Sequence, residues 1–148
     1  MLTSSSAPSE LERAQGLVAS GRFAEALALA HSQLRDSPTD RGFLLVEGQS
    51  LRLLKQIDAA LSALDRLEAA HPHFSRLHQE RGLCRVAQRD APAAIDSLLR
   101  AVNINPALVA AWQMLAGLYR LTGDQDNAAQ AESHVAVLMA LPPEVVTA

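Results

Sequence analysis

The sequence is short of the features that mark enzymes, membrane proteins and nucleic-acid binders. Its single cysteine, Cys84, leaves no partner for an intramolecular disulfide, so nothing requires an oxidising compartment. Aromatic residues make up only 3 % of the chain, and a composition poor in aromatic and β-branched residues disfavours strands. Basic residues are not in excess. The formal net charge is −3, whereas a general nucleic-acid binder usually presents a basic face. No apolar run approaches the roughly 20 residues a membrane-spanning helix needs. The first ten residues, MLTSSSAPSE, lack the basic and apolar regions of a secretory signal. Carboxylates do not pair at a spacing suggestive of acid–base chemistry. These absences lead to the expectation of a cytoplasmic protein or module with no cofactor, nucleic-acid partner or membrane partner.

What is present is alanine, leucine and a clock. Hydrophobic residues form 49 % of the chain, and the dominance of Ala and Leu suits closely packed helices. Pro38, Pro72 and Pro106 stand 34 residues apart, and Ala26, Ala60, Ala94 and Ala128 keep the same step. A fixed period of this size marks a solenoid of helix pairs.

Punctuation then places the helices. Ser9 and Glu12 form a capping box ahead of a first helix over 10–19, and Gly21 ends it in a left-handed turn. A second helix, 23–36, carries Ala26, Leu27, Ala30 and Leu34 on one stripe and stops before Pro38. Asp40 caps a third, 41–54, with Leu44, Leu45, Gly48 and Leu51 inward. A fourth, 57–70, repeats the stripe with Ala60, Leu61, Leu64 and Leu67. The fifth, 75–88, is the most polar. The sixth, 92–104, opens on Pro92, where a missing N–H costs nothing. The seventh, 108–121, contains Trp112, Leu115, Ala116 and Tyr119. Gly123 turns the chain into the eighth, 125–140. Residues 1–8 are expected to be disordered, and 143–148 to be a tail or the start of another helix.

This pattern resembles the tetratricopeptide repeat family. Its 34-residue unit favours Trp, Leu, Gly/Ala and Tyr in a first helix, Gly at the inner turn, small and large apolar residues in a second, and Pro at the exit. Units at 7–40, 41–74, 75–108 and 109–142 match in phase. The fourth does so best, with Trp112, Leu115, Ala116, Tyr119, Gly123 and Ala128. Glu47 and Arg81 depart from it, standing where Leu is usual, as does Arg85 where Tyr is usual. The resemblance implies an all-α α-solenoid of four antiparallel helix pairs, a right-handed superhelix occupying 9–142. It also implies a protein–protein interaction scaffold whose concave groove is lined by the first helix of each pair.

In the family's frame the groove candidates are Gln15, Gln49, Arg52, Arg76, Gln79, Gln113 and Arg120. Amides donate and accept, so in-phase glutamines suit the backbone of an extended peptide, and arginines suit carboxylates. The same residues are also good exposed helix formers that would simply solvate a face. The family's Lys/Asn carboxylate clamp is absent.

A second resemblance concerns residues 105–148. Asn105-Pro106-Ala107-Leu108, Trp112, Leu121 to Asp124 and Leu141-Pro142-Pro143-Glu144 are similar to the repeat region of bacterial proteins that carry a sulfotransferase domain downstream. No Gly-rich loop for a sulfonate donor is present here, and no catalytic residue is expected in this chain. The apolar end of the eighth helix is unlike the polar outer face of a capping repeat. It leads to the expectation that the natural chain continues beyond Ala148, or that Leu138, Met139, Leu141, Val145 and Val146 meet a partner or another copy. Self-association is therefore the alternative to groove binding.

Three other features have simpler readings. His71, His73 and His78 cluster at one corner, but no Cys or nearby Asp completes a metal set, and a solvated corner is expected. Cys84 lacks a thiolate-stabilising base and reads as a packing residue. Trp112 and Tyr119 lie seven apart on one helical face, which points to core packing.

Overall fold

A computed structural model describes residues 7–142. Among these residues there are eight helices and no strand. They are α1 (Glu10–Ala19), α2 (Phe23–Asp36), α3 (Arg41–Leu53), α4 (Ile57–Ala70), α5 (Ser75–Ala87), α6 (Ala91–Ile104), α7 (Val109–Leu121) and α8 (Gln125–Met139). The fold class is an all-α solenoid of helix pairs. The chain divides after Pro72 into two compact units, the first holding α1–α4 and the second α5–α8. The expected polar start before residue 7 and the segment 143–148 lie outside the described residues, and so do Val145 and Val146.

Within each unit, consecutive helices pack as hairpins, α1 on α2, α3 on α4, α5 on α6 and α7 on α8. The pairs are joined by packing of α2 and α1 on α3, and of α6 on α7. The inward stripes are largely as the spacing predicts. Ala26, Ala30 and Leu34 of α2, Leu44, Leu45 and Leu51 of α3, and Ala60, Leu64 and Leu67 of α4 are all buried. Leu27 and Leu61 are only half-buried. In the second unit Ala94, Leu98, Ala101, Ala111, Leu115 and Ala116 form the core, with Trp112 and Tyr119 packed against it. Gly48 marks a close approach, since a Cβ there would lie 2.9 Å from Leu64 Cδ2.

Caps fix the helix starts. The Ser9–Glu12 box is formed on both sides, with Ser9 N–H donating to Glu12 Oε1 at 3.0 Å and Glu12 N–H to Ser9 Oγ at 3.1 Å. Hydrogen bonding of the Glu12 carboxyl to the Ser9 backbone, and less to the Ser9 side chain, holds it below the usual range. Asp40, Asp90 and Asp124 accept from Phe43, Ala93 and Asn127 N–H groups.

The inner turns hold a regularity that the sequence pattern did not reveal. Gly21, Lys55, Arg89 and Gly123 stand at 34-residue intervals, and all four adopt positive φ, at +82°, +68°, +59° and +81°. At each, the residue's own N–H bonds back three residues and the next N–H bonds back five, as Lys55 to Arg52 and Gln56 to Leu51. This is the Schellman end of a helix, which wants a left-handed residue. Two turns meet that demand with glycine, and two force it on a side chain. The same motif ends α3 and α5 one residue earlier than expected, because Leu54 and Gln88 are the caps. The remaining differences, at the start of α6 and α7 and the end of α8, are also one residue.

Candidate functional site

In the first unit, Gln15 is exposed on α1, while Gln49 and Arg52 are half-buried on α3. The two helices touch. A Cβ on Gly42 of α3 would fall 2.6 Å from Leu11 Cδ2 of α1, so the two amides sit at matching positions of neighbouring helices. In the second unit, Arg76 is exposed and Gln79 half-buried on α5, and Gln113 and Arg120 are exposed on α7. The Gln79 Oε1 is buried without a hydrogen-bond partner. Gln113 and Arg120 line one cleft of about 340 Å³ with Glu132 and Val135 of α8. Arg120 is not the free anchor the pattern suggested. Its Nη1 donates to Glu132 Oε2 at 2.6 Å, joining α7 to α8.

The histidine corner is not uniformly solvated. His71 donates from Nε2 to the Thr39 carbonyl at 2.6 Å. His78 is buried in α5, with Arg81 Nη1 3.4 Å from its Nδ1. Helical phase explains this, since His78 falls on the inward side of a helix whose polar composition hides how much of it is buried: Ser75, His78 and Glu80 are all covered. Among the described residues no three or more His, Cys, Asp and Glu side chains gather to hold a metal. Cys84 is buried.

Trp112 packs on its core and does more. Its ring stacks on His134 at 3.9 Å and 9°, and its Nε1–H donates to the Pro106 carbonyl at 2.8 Å, tying α7, α8 and the preceding corner together. Tyr119 is pushed up from its ordinary pKa, first by burial and then by Asp124 and Asp96. At the end of α8, Val137 and Met139 are 63 % and 67 % exposed, while Leu138 is half-buried.

One cluster escaped the sequence reading. Glu47, at the leucine position of the second repeat, is only 5 % exposed. Its Oε2 accepts from Arg66 Nη2 at 2.7 Å and from His31 Nε2 at 3.2 Å, and its Oε1 is buried without a partner. The substitution at position 47 was visible in the sequence. Its partners, on α2 and α4, were not.

The tetratricopeptide repeat family model matches residues 17–81 of the chain. No curated protein matches the sequence. Among solved structures, TTC0263, a thermophilic TPR protein of Thermus thermophilus, superposes with a TM-score of 0.81 at 21% identity, covering 93% of this chain and 76% of that one. MamA from Desulfovibrio magneticus RS-1 is similar with a TM-score of 0.73 at 22% identity, covering 88% and 73%. At such identity the likeness is one of fold.

Proposed function

We propose that this chain is a protein-binding scaffold that holds an extended peptide, or a segment of a neighbouring domain, against the first helices of its repeats. The observation that carries this reading is the recurrence of side-chain amides one repeat apart on the first helices, Gln15 with Gln49 in the first unit and, at a different repeat position, Gln79 with Gln113 in the second, with the Gln79 carbonyl left unpartnered. A peptide backbone offers alternate donors and acceptors that such amides match. Repeat arrays of this kind are generally non-catalytic scaffolds. The direct experiment is a peptide-display selection on the full chain, followed by Gln49→Ala with Arg52→Glu, and separately Gln113→Ala with Arg120→Glu. Selected peptides should lose about tenfold in affinity, the equivalent of one good polar contact. Peptides that bind both variants as tightly as the parent would sink the proposal.

A second reading, self-association through the end of α8, is favoured by the exposure of Val137, Met139 and Leu141. Light scattering on the parent and on Met139→Glu tests it, and a monomer in both would refute it. A role beside a sulfotransferase domain rests on the resemblance of residues 105–148 alone. The similar structures give it no support, and the full reading frame of the gene would decide it.

A further inference from the structure

The cleft beside Glu47 lies on the second-helix side of the first unit, away from the glutamines, and holds about 560 Å³. His31, Ser32 and Arg35 of α2, Glu47 of α3 and Arg66 of α4 line it. Its hydrogen-bonding inventory is lopsided. Glu47 is the one carboxylate among the lining residues. Its Oε2 already serves two donors, and its Oε1 is occluded. The donors are in excess: a guanidinium on Arg35, the N–H groups of Arg66 that do not reach Glu47, and the Ser32 hydroxyl. With His31 neutral, two arginines against one carboxylate leave the cleft at a formal +1, in a chain of net charge −3.

The carboxylate beneath this cleft is a liability to the fold. A buried charge with one unpaired oxygen destabilises relative to an apolar side chain of similar volume, and the same repeat position two units on is Leu115, fully buried. Departures from local rules of this kind are expected where a site is built. What Glu47 does is hold two basic heads, Arg66 and His31, at the edge of the cleft, which removes part of the ordering cost of binding.

We propose that this cleft is a carboxylate-binding site, in which Arg35 and Arg66 receive an acidic side chain of a partner segment and Glu47 acts as the positioning residue. Guanidiniums bind carboxylates through paired N–H groups, and an open cleft of this size suits a side chain presented by a peptide. The site is separate from the amide-bearing faces of α1 and α3, so either reading can fail without the other.

The test uses the full 148-residue chain, a terminally blocked tetraglutamate peptide as probe, tetraglutamine as control and inorganic phosphate as a third arm, followed by NMR of the arginine Nε and histidine ring signals at low salt. Tetraglutamate should shift the Arg35, Arg66 and His31 signals, and tetraglutamine should not. Arg35→Gln or Arg66→Gln should each weaken binding by about tenfold, as loss of a charge-assisted bond does. Glu47→Leu separates a built site from a mere basic patch. It makes the cleft more positive, so a patch would bind tetraglutamate more tightly, whereas a positioned site binds it several-fold more weakly while the chain melts at a higher temperature. Tighter binding by Glu47→Leu, no shift at Arg35 and Arg66, or phosphate binding more tightly than tetraglutamate would each overturn the proposal.

Discussion

Replacing Lys55 and Arg89 with glycine should stabilise the protein. Both residues occupy the left-handed turn position that Gly21 and Gly123 fill elsewhere, at φ of +68° and +59°. An L-residue in this region carries a penalty of roughly 1–2 kcal/mol. Glycine relieves it but raises the entropy of the unfolded chain, returning about 0.4–1 kcal/mol. The net gain is about 0.5–1 kcal/mol per site. Both side chains are exposed, and the sites lie in different units, so the gains should add to about 1–2 kcal/mol. In a chain of this length that raises the melting temperature by roughly 2–8 °C. Thermal and urea unfolding followed by circular dichroism measures it. Lys55→Ala is the control for charge, since it removes the same cation from a helix end but keeps a Cβ. Lys55→Gly should exceed it by about 0.5–1 kcal/mol. Gly123→Ala should lose about 1 kcal/mol from backbone strain alone, because no heavy atom lies within 4 Å of its missing Cβ. If glycine at 55 and 89 lowers stability, or matches alanine there, the turn argument is wrong.

Other substitutions follow from the same repeat logic. Gln56 starts α4 without a side-chain cap, whereas Asp90 and Asp124 cap their helices; Gln56→Asp should add about 0.5–1.5 kcal/mol, and an unchanged urea midpoint would contradict it. A Cβ added to Gly117 on α7 would meet no heavy atom within 4 Å, so Gly117→Ala should gain up to about 1 kcal/mol of helix propensity, read from the same curves. Gly48→Ala should instead lose stability, about 1 kcal/mol net, as the crowding of buried Leu64 outweighs the propensity gain. The lowered pKa of Glu12 gives a sign for acid behaviour. Its folded value lies below its unfolded one, so the capping contribution is present above the unfolded carboxylate range and is lost as pH falls through the folded value. A carboxyl NMR titration of Glu12 should show a midpoint below that of an ordinary glutamate, and a midpoint at or above it would refute the cap's role.

The fold was legible because its signals are local. Pro38, Pro72 and Pro106 stop helices through their own missing N–H, Gly21 and Gly123 turn them through their own φ, and Ser9 and Glu12 cap within one turn. Each acts on neighbours a few residues away, so a reading of the chain in order recovers nearly every helix end to within one residue. Lys55 and Arg89 were missed because their side chains do not advertise left-handed turns; only their spacing from Gly21 and Gly123 does. The site was less legible for a different reason. Glu47 meets partners 16 and 19 residues away, and Arg120 meets Glu132 twelve residues on. Such pairings are set by how helices stack, and no period in the sequence announces them. His78 lay hidden in the same way, as a polar residue on an inward phase.

The central claim is that the first helices of the repeats are the recognition surface. Chemical-shift mapping of the 148-residue chain with a display-selected peptide tests it most directly. The side-chain amides of a glutamine pair within a unit, Gln15 with Gln49 or Gln79 with Gln113, should shift as the peptide is added, with the second helices of that unit largely silent. Shifts confined to second helices, with the four glutamines unmoved, would contradict the claim.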